Sequence, residues 1–143
     1  MSRAIAALMA LVTLAAIAAG LALVGGPGEA RREREDAARL EALSRVAAAL
    51  SCPAPDAHAA PDPLPAELTA EALAAYCGGR HLAPEALRDP VTGEPIRYER
   101  RSERDFALCT IFHDAAAIIE ARLSPYGAGF EAATGCLSGR VGA

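Results

Sequence analysis

The chain of 143 residues contains no lysine and no tryptophan, and its aromatic residues are only three tyrosines and three phenylalanines. All fourteen basic residues are arginines; eighteen acidic residues outnumber them, giving a net charge of −4 at pH 7. A nucleic-acid-binding protein normally carries a basic field, and this chain has none overall. A composition of 52% hydrophobic and 22% charged residues excludes a fully disordered, a collagen-like and a multi-pass membrane protein.

Short motifs that carry chemistry are also missing. The sequence has no GxSxG, no phosphate-binding glycine loop, no HExxH, no CxxC and no CxxCH. Three histidines are present, but none stands at a metal-ligand spacing: His58, His81 and His113. We therefore predict no cofactor, no metal, no small-molecule substrate and no enzymatic activity. The alternative that the composition leaves is a thiol or redox enzyme, with Cys109 as nucleophile and His113 as base.

One apolar run dominates the N-terminal end. No charged residue lies between Arg3 and Glu29, and within Ala4 to Val24 only two residues are not apolar, Thr13 and Gly20. As an α-helix this run is about 31 Å long, which matches the hydrocarbon core of a bilayer. It exceeds the roughly 7–15 apolar residues of a signal peptide. The sequence therefore predicts an uncleaved transmembrane anchor within residues 1–28 that contacts lipid through residues 4–24.

Two opposing signals bear on the orientation of this anchor. Arg31, Arg32 and Arg34 follow the run, and the positive-inside rule would place them in the cytoplasm. Acidic residues are interleaved with them, however, and an even number of cysteines favours an oxidising compartment. We predict a single-pass protein of a bacterial inner membrane, with the C-terminal bulk in the periplasm.

The pattern of apolar residues in 29–51 predicts an amphipathic stem helix. Its apolar residues recur at helical spacing and form one stripe: Ala37, Leu40, Leu43, Val46, Ala47 and Leu50. Two interpretations of the stripe stay open. It packs against the protein's own domain, which we favour because the pattern spans barely two heptads, or it binds an envelope protein partner as a coiled coil.

For the remaining residues, 52–143, the sequence predicts a small domain of short helices and strands. Five prolines between Pro53 and Pro65 exclude a helix or a central strand and indicate an extended loop. Short helices are predicted at Glu67–Tyr76 and Pro84–Leu87. Ile96–Arg101 and Phe106–Phe112 predict an antiparallel hairpin, because apolar and polar residues alternate. The glycine-rich C-terminal end predicts loops. Before it, residues 115–123 predict either a helix or a strand.

Four cysteines lie in or next to this domain: Cys52, Cys77, Cys109 and Cys136. Four cysteines allow three pairings. Order and proximity favour Cys52–Cys77 and Cys109–Cys136, each closing a loop of about 25 residues. Such bridges typically add about 2–4 kcal/mol, a large contribution for a small domain with few aromatic residues.

Residues 89–95 have the composition of a turn, with Asp89, Pro90, Gly93 and Pro95 as its characteristic residues. An aspartate accepts hydrogen bonds from its own downstream backbone, proline presets φ, and glycine supplies a positive φ. Asp89 and Glu94 also offer two carboxylates to a calcium ion, but a structural turn is the interpretation that we favour.

The layout resembles type IV pilin-like proteins and type II secretion pseudopilins. It is more closely similar to small single-pass bacterial proteins that carry a DPxTGxPYxYR motif, matched here by Asp89-Pro90-Val91-Thr92-Gly93-Glu94-Pro95 and Tyr98. The following strand, Phe106 to Phe112, matches their second motif. The resemblance implies an α+β fold in which an N-terminal helix accompanies a small antiparallel sheet, and a periplasmic location. One departure is the missing prepilin-peptidase site, because the apolar run contains no glutamate. That departure puts processing by the peptidase and assembly into a filament in question.

We therefore predict three segments: a transmembrane anchor (1–28), an amphipathic stem (29–51) and a disulfide-stapled α+β periplasmic domain (52–143). The predicted function is a structural or partner-binding role without catalysis. The main alternative is a secreted, disulfide-stabilised inhibitor or ligand, released by signal cleavage at about residues 20–30.

Overall fold

The computed structural model describes residues 2–24, 26–51, 63–76, 82–120 and 129–141, and these residues form an α+β protein. Its helices are α1 (Ser2–Val24), α2 (Pro27–Leu50), α3 (Ala70–Tyr76) and α4 (Ala115–Glu120), with a 3₁₀ turn at Pro84–Leu87. Its strands are β1 (Arg97–Arg100), β2 (Asp105–Cys109), β3 (Gly129–Glu131) and β4 (Cys136–Arg140). The predicted α+β class is confirmed.

Helix α1 is the predicted apolar helix. From Arg3 to Gly20 every side chain is exposed, including large apolar ones such as Met9 and Leu14. A helix that is apolar on all faces needs either a protein core or a bilayer around it. In the described part of the chain, α1 is the one helix that is long and apolar enough to cross a membrane, and a signal sequence has the same features.

Helix α2 begins at Pro27, where the missing proline N–H costs no helical hydrogen bond. The carbonyl of Gly26 accepts hydrogen bonds from the backbone N–H groups of Glu29 and Ala30 at 2.9 and 3.3 Å. Gly26 directly precedes α2, which begins two residues before the predicted start at residue 29.

The four strands form one antiparallel sheet in the order β1-β2-β4-β3. Strands β1 and β2 form the predicted hairpin, with Arg97 opposite Cys109 and Arg100 opposite Phe106. Strand β2 ends at Cys109, three residues earlier than predicted.

The core lies between α2 and one face of the sheet. Five of the six predicted stripe residues of α2 are buried: Leu40, Leu43, Val46, Ala47 and Leu50. Four of them, from Leu43 onward, cluster with Phe106, Leu108, Leu137 and Val141. Because side chains alternate across a strand, Ala107 and Cys109 lie on the opposite face, where they cluster with Cys136. The stripe thus packs within the protein's own domain, the interpretation favoured from the sequence.

The sequence predicts loops for the C-terminal region, and this prediction is wrong, because the region contains strands β3 and β4. β3 has only three residues, and β4 contains Gly139, which breaks the apolar alternation. That glycine lies against the Phe106 ring, since a Cβ atom there would lie 2.5 Å from Cζ of Phe106. A glycine in a strand often marks such a close approach. Within residues 115–123, the described part forms helix α4, and the proline loop falls largely outside the described residues.

The chain forms two compact units, Met1–Arg34 and Glu35–Ala143. The division falls inside α2. The C-terminal half of α2 belongs to the second unit because its apolar face supplies that unit's core.

Candidate functional site

The 89–95 turn is organised by the side chain of Asp89. Its Oδ1 accepts hydrogen bonds from the backbone N–H groups of Val91 and Thr92 at 2.8 and 3.0 Å. Gly93 has a φ of +74° and donates its N–H to the carbonyl oxygen of Asp89 at 2.8 Å. The structure therefore contains the aspartate-led turn that the sequence predicts.

The second carboxylate oxygen of Asp89 connects this turn to two other elements. Oδ2 accepts a hydrogen bond from Nε of Arg39 in α2 at 3.0 Å and from Oγ1 of Thr110 at 2.6 Å. With two donors on each oxygen, the lone pairs of the carboxylate are all engaged. Asp89 is therefore not available to a calcium ion, and its geometry supports the structural interpretation.

Arg39 holds a second carboxylate, that of Asp36. Nη1 of Arg39 lies 2.9 Å from Oδ1 of Asp36, which also accepts the backbone N–H of His113 at 2.9 Å. Oδ2 of Asp36 accepts the backbone N–H of Asp114 at 2.8 Å. The side chains of Asp36, Arg39 and Asp89 are 9%, 5% and 5% exposed. We call these three residues the buried charge cluster. It joins α2 to the turn and to the chain after β2.

The electrostatics of Asp89 follow from this geometry. Burial alone would raise its pKa, but hydrogen bonds from Thr110, Thr92 and Val91 and the charge of Arg39 together lower it to about 2. Asp89 is therefore ionised at neutral pH. A carboxylate with so low a pKa is a weak base, and its role here is to accept hydrogen bonds.

Asp36 and Arg39 are site residues that were not predicted from the sequence. The sequence does carry a signal for them: they lie one helical turn before Leu40 and Leu43, on the apolar stripe of α2. Charged residues on a buried helix face need partners elsewhere in the fold. An aspartate and an arginine three residues apart on this apolar face of α2 indicate a buried ion pair.

The predicted disulfide between Cys109 and Cys136 is present, and both residues are buried. The two cysteines are directly opposite in β2 and β4, with their Cα atoms 4.1 Å apart. They occupy a non-hydrogen-bonded pair, where antiparallel strands bring Cα atoms closest. The sulfur of Cys109 is therefore bonded, and His113 instead places Nε2 2.9 Å from Oε2 of Glu35. Cys52 and Cys77 lie outside the described residues.

A surface cleft of about 260 Å³ lies between the 89–95 turn and the end of β2. Asp89, which belongs to the buried charge cluster, contributes to its wall. Its remaining lining includes Thr92, Glu94, Pro95, Arg97, Ile111 and Thr134. Among the described residues, no three histidines, cysteines, aspartates or glutamates are grouped to hold a metal ion.

No protein-family model, curated protein or solved structure matches this chain. An N-terminal apolar helix followed by a small antiparallel sheet is loosely compatible with a pilin-like fold.

Proposed function

We propose that this protein is a single-pass inner-membrane protein whose disulfide-bonded domain lies in the periplasm, where it has a structural or partner-binding role. The observation that carries the proposal is the combination of α1, apolar and exposed on every face, with a folded unit that contains a buried disulfide. α1 directly precedes α2, and the second half of α2 supplies part of the core of that unit.

The disulfide supports the choice of compartment. Disulfides persist in the bacterial periplasm and are rare in the reducing cytosol. Cys109 and Cys136 are 5% and 2% exposed, so reductants and other thiols have little access to their sulfur atoms. Such a bridge suits a structural role in the sheet better than thiol exchange.

The buried charge cluster supports a non-catalytic role. Asp36 and Asp89 each accept several hydrogen bonds from the protein itself, and Arg39 is held between them. Their hydrogen bonds connect α2 to the 89–95 turn and to the chain after β2. A pilin-like arrangement of the whole chain is part of the proposal and rests on the layout alone.

The experiment that tests the proposal starts from native membranes. Carbonate-washed membranes should retain the protein in the pellet. Its intact mass, after alkylation without prior reduction, should include the apolar segment and show no alkyl group. Reduction before alkylation should add four alkyl groups, which controls for reagent access. Four alkyl groups without reduction would place the domain in the cytoplasm and overturn the proposal.

A secreted protein is the second candidate, because an apolar helix near the N-terminus also occurs in signal sequences. Recovery in the soluble periplasm, with a mass lacking the first 20–30 residues or so, would establish this candidate instead.

A further inference from the structure

Two large apolar side chains are exposed in the described part of the second unit: Val91, which is 40% exposed, and Ile111, which is 82% exposed. We call them the apolar pair. Both are fixed to one carboxylate. Oδ1 of Asp89 accepts the backbone N–H of Val91 at 2.8 Å, and Oδ2 accepts the hydroxyl of Thr110, which directly precedes Ile111, at 2.6 Å. The two exposed residues are therefore neighbours in the fold, although they are far apart in the chain.

The apolar pair lies at the end of the second unit where the chain arrives from α1. That unit begins at Glu35. The chain just after the isoleucine of the pair is held there by His113, whose Nε2 lies 2.9 Å from Oε2 of Glu35. The carboxylate of Asp89, which holds the pair together, accepts a hydrogen bond from Nε of Arg39 at 3.0 Å. Both members of the pair are thus held beside residues 35–39, the first residues of the unit.

The connecting chain is short enough to keep this end near the bilayer that α1 is proposed to span. Glu35 follows Val24, the last residue of α1, by eleven residues, which extend to at most about 38 Å. Helix α2 begins at Pro27 and rises only about 12 Å before it reaches Glu35. A globular unit of about 110 residues is roughly 30–35 Å across. Residues beside Glu35 therefore have the shortest covalent path to the membrane of any part of this unit.

Charge does not oppose contact between the apolar pair and lipid. The carboxylate of Asp89 is 5% exposed and paired with Arg39, so this contact places no unpaired charge in an apolar medium. Exposed charged residues near the pair have both signs: Arg88, Glu94, Arg97 and Asp114. Arginine side chains can keep their guanidinium groups among the lipid headgroups while their aliphatic parts cover apolar surface. This mixture of charges selects no lipid charge, so a zwitterionic lipid is sufficient.

The small size of the apolar pair favours lipid over a protein as its partner. Two aliphatic side chains offer far less than the roughly 800 Å² per partner of a standard protein–protein interface. A second copy of the chain, or another protein, would therefore bind this surface weakly. A bilayer needs no such area, because the anchor already holds the domain at a high effective concentration beside it.

We propose that the apolar pair contacts the surface of the membrane that holds α1. Ile111 and Val91 insert their side chains at the boundary between the headgroups and the acyl chains, about 5–10 Å deep, as the apolar residues of interfacial helices do. This inference rests on the proposed membrane anchor and adds a second lipid contact, made by the folded domain itself.

The test uses the full chain in nanodiscs of phosphatidylcholine, with isotope-labelled valine and isoleucine methyl groups observed by NMR. A small fraction of the lipid carries a nitroxide near the top of its acyl chain. We expect the nitroxide to broaden the methyl signals of Val91 and Ile111 severalfold more than those of Val141. Val141 is the internal control at the opposite end of the sheet, where its N–H donates to the carbonyl of Arg104 at 2.9 Å. Equal broadening of all three residues, or none at Ile111, would overturn the inference.

Two variants test whether the pair inserts through its apolar character. Ile111→Asp should reduce the broadening of Val91 severalfold, because a carboxylate is costly to bury in lipid. Ile111→Leu keeps an apolar side chain of similar size and should leave the broadening of Val91 as in the wild type. An unchanged chemical shift of Val141 in both variants verifies that the fold is retained. Undiminished broadening of Val91 in Ile111→Asp would contradict insertion.

The failure of this inference and that of the proposed function are distinguishable. A chain that is anchored and oxidised in native membranes, but whose Ile111 signal is not broadened, would retain its proposed location and lose this lipid contact. A chain that is cleaved and soluble in cells would lose the proposed function, whatever the nanodisc spectrum shows. Signals of the pair that shift with the number of chains per nanodisc, without broadening, would assign the surface to a second copy and overturn the inference.

Discussion

Replacing Arg39 by methionine should destabilise the domain by about 3 kcal/mol. Arg39 is the cation of the buried charge cluster, with hydrogen bonds of 2.9 and 3.0 Å to the carboxylates of Asp36 and Asp89. Removing one partner of a buried ion pair typically costs about 3–5 kcal/mol, because a buried charge is left uncompensated. The lower end applies here, since both carboxylates keep hydrogen bonds from other groups. Methionine retains much of the apolar volume, so the loss reports on charge rather than on packing.

The assay is urea unfolding of the full chain in a mild detergent, followed by far-UV circular dichroism. Arg45→Met is the matched control on the same helix: its side chain is 57% exposed and lies 3.5 Å from Glu41. Exposed pairs of this kind contribute about 0–1 kcal/mol. A loss for Arg39→Met that equals the loss for Arg45→Met would refute the reasoning.

A double variant separates charge from the missing contacts. Arg39→Met combined with Asp89→Asn removes one uncompensated carboxylate, while the new side-chain amide keeps an oxygen for the N–H groups of Val91 and Thr92. The hydroxyl of Thr110 can rotate to accept a hydrogen bond from the amide NH₂ group. The double variant should therefore be more stable than Arg39→Met alone, by roughly 1 kcal/mol. A double variant that is less stable than the single one would show that charge is not the cause.

Three further outcomes are expected. Because the pKa of Asp89 is about 2 when folded and about 3.9 when unfolded, its contribution of roughly 2–3 kcal/mol is complete above about pH 5. That contribution should disappear as the pH falls toward 2, and urea midpoints of the wild type and Asp89→Asn should converge there. Replacing both Cys109 and Cys136 by serine should lower the unfolding free energy by about 3.5 kcal/mol, given a separation of 27 residues; an unchanged urea midpoint would contradict this. Gly139→Ala should cost about 1–3 kcal/mol because its Cβ would meet a buried phenylalanine ring, whereas Gly129→Ala has open space and serves as the thermal-unfolding control.

Acid unfolding also involves Asp105, so the pH experiment needs a matched background. Hydrogen bonds from Arg140 and Ser102 lower the pKa of Asp105 to about 2, and this carboxylate titrates over the same range as Asp89. The comparison of wild type and Asp89→Asn is therefore best made in chains that both carry Asp105→Asn. A pH profile unaffected by Asp89→Asn in that background would contradict the role given to Asp89.

Local sequence patterns were sufficient to predict those helices, strands and turns that depend on residues close together in the chain. The apolar run of α1, the stripe of α2, the β1–β2 hairpin and the 89–95 turn all follow from periodicity or turn chemistry. Strands β3 and β4 did not, because one is only three residues long and the other contains Gly139. Their stability comes from pairing with β2 and from the fit of Gly139 against Phe106, both of which join distant parts of the chain.

The sequence by itself determined that the N-terminal helix is apolar on every face, that α2 has a buried side, and that Asp89 begins a turn, because each property arises within a few residues. It also favoured the Cys109–Cys136 pairing among the open alternatives. Only the tertiary structure decided that Arg39 bridges Asp36 and Asp89, because residues 36 and 89 approach only when α2 packs beside the turn.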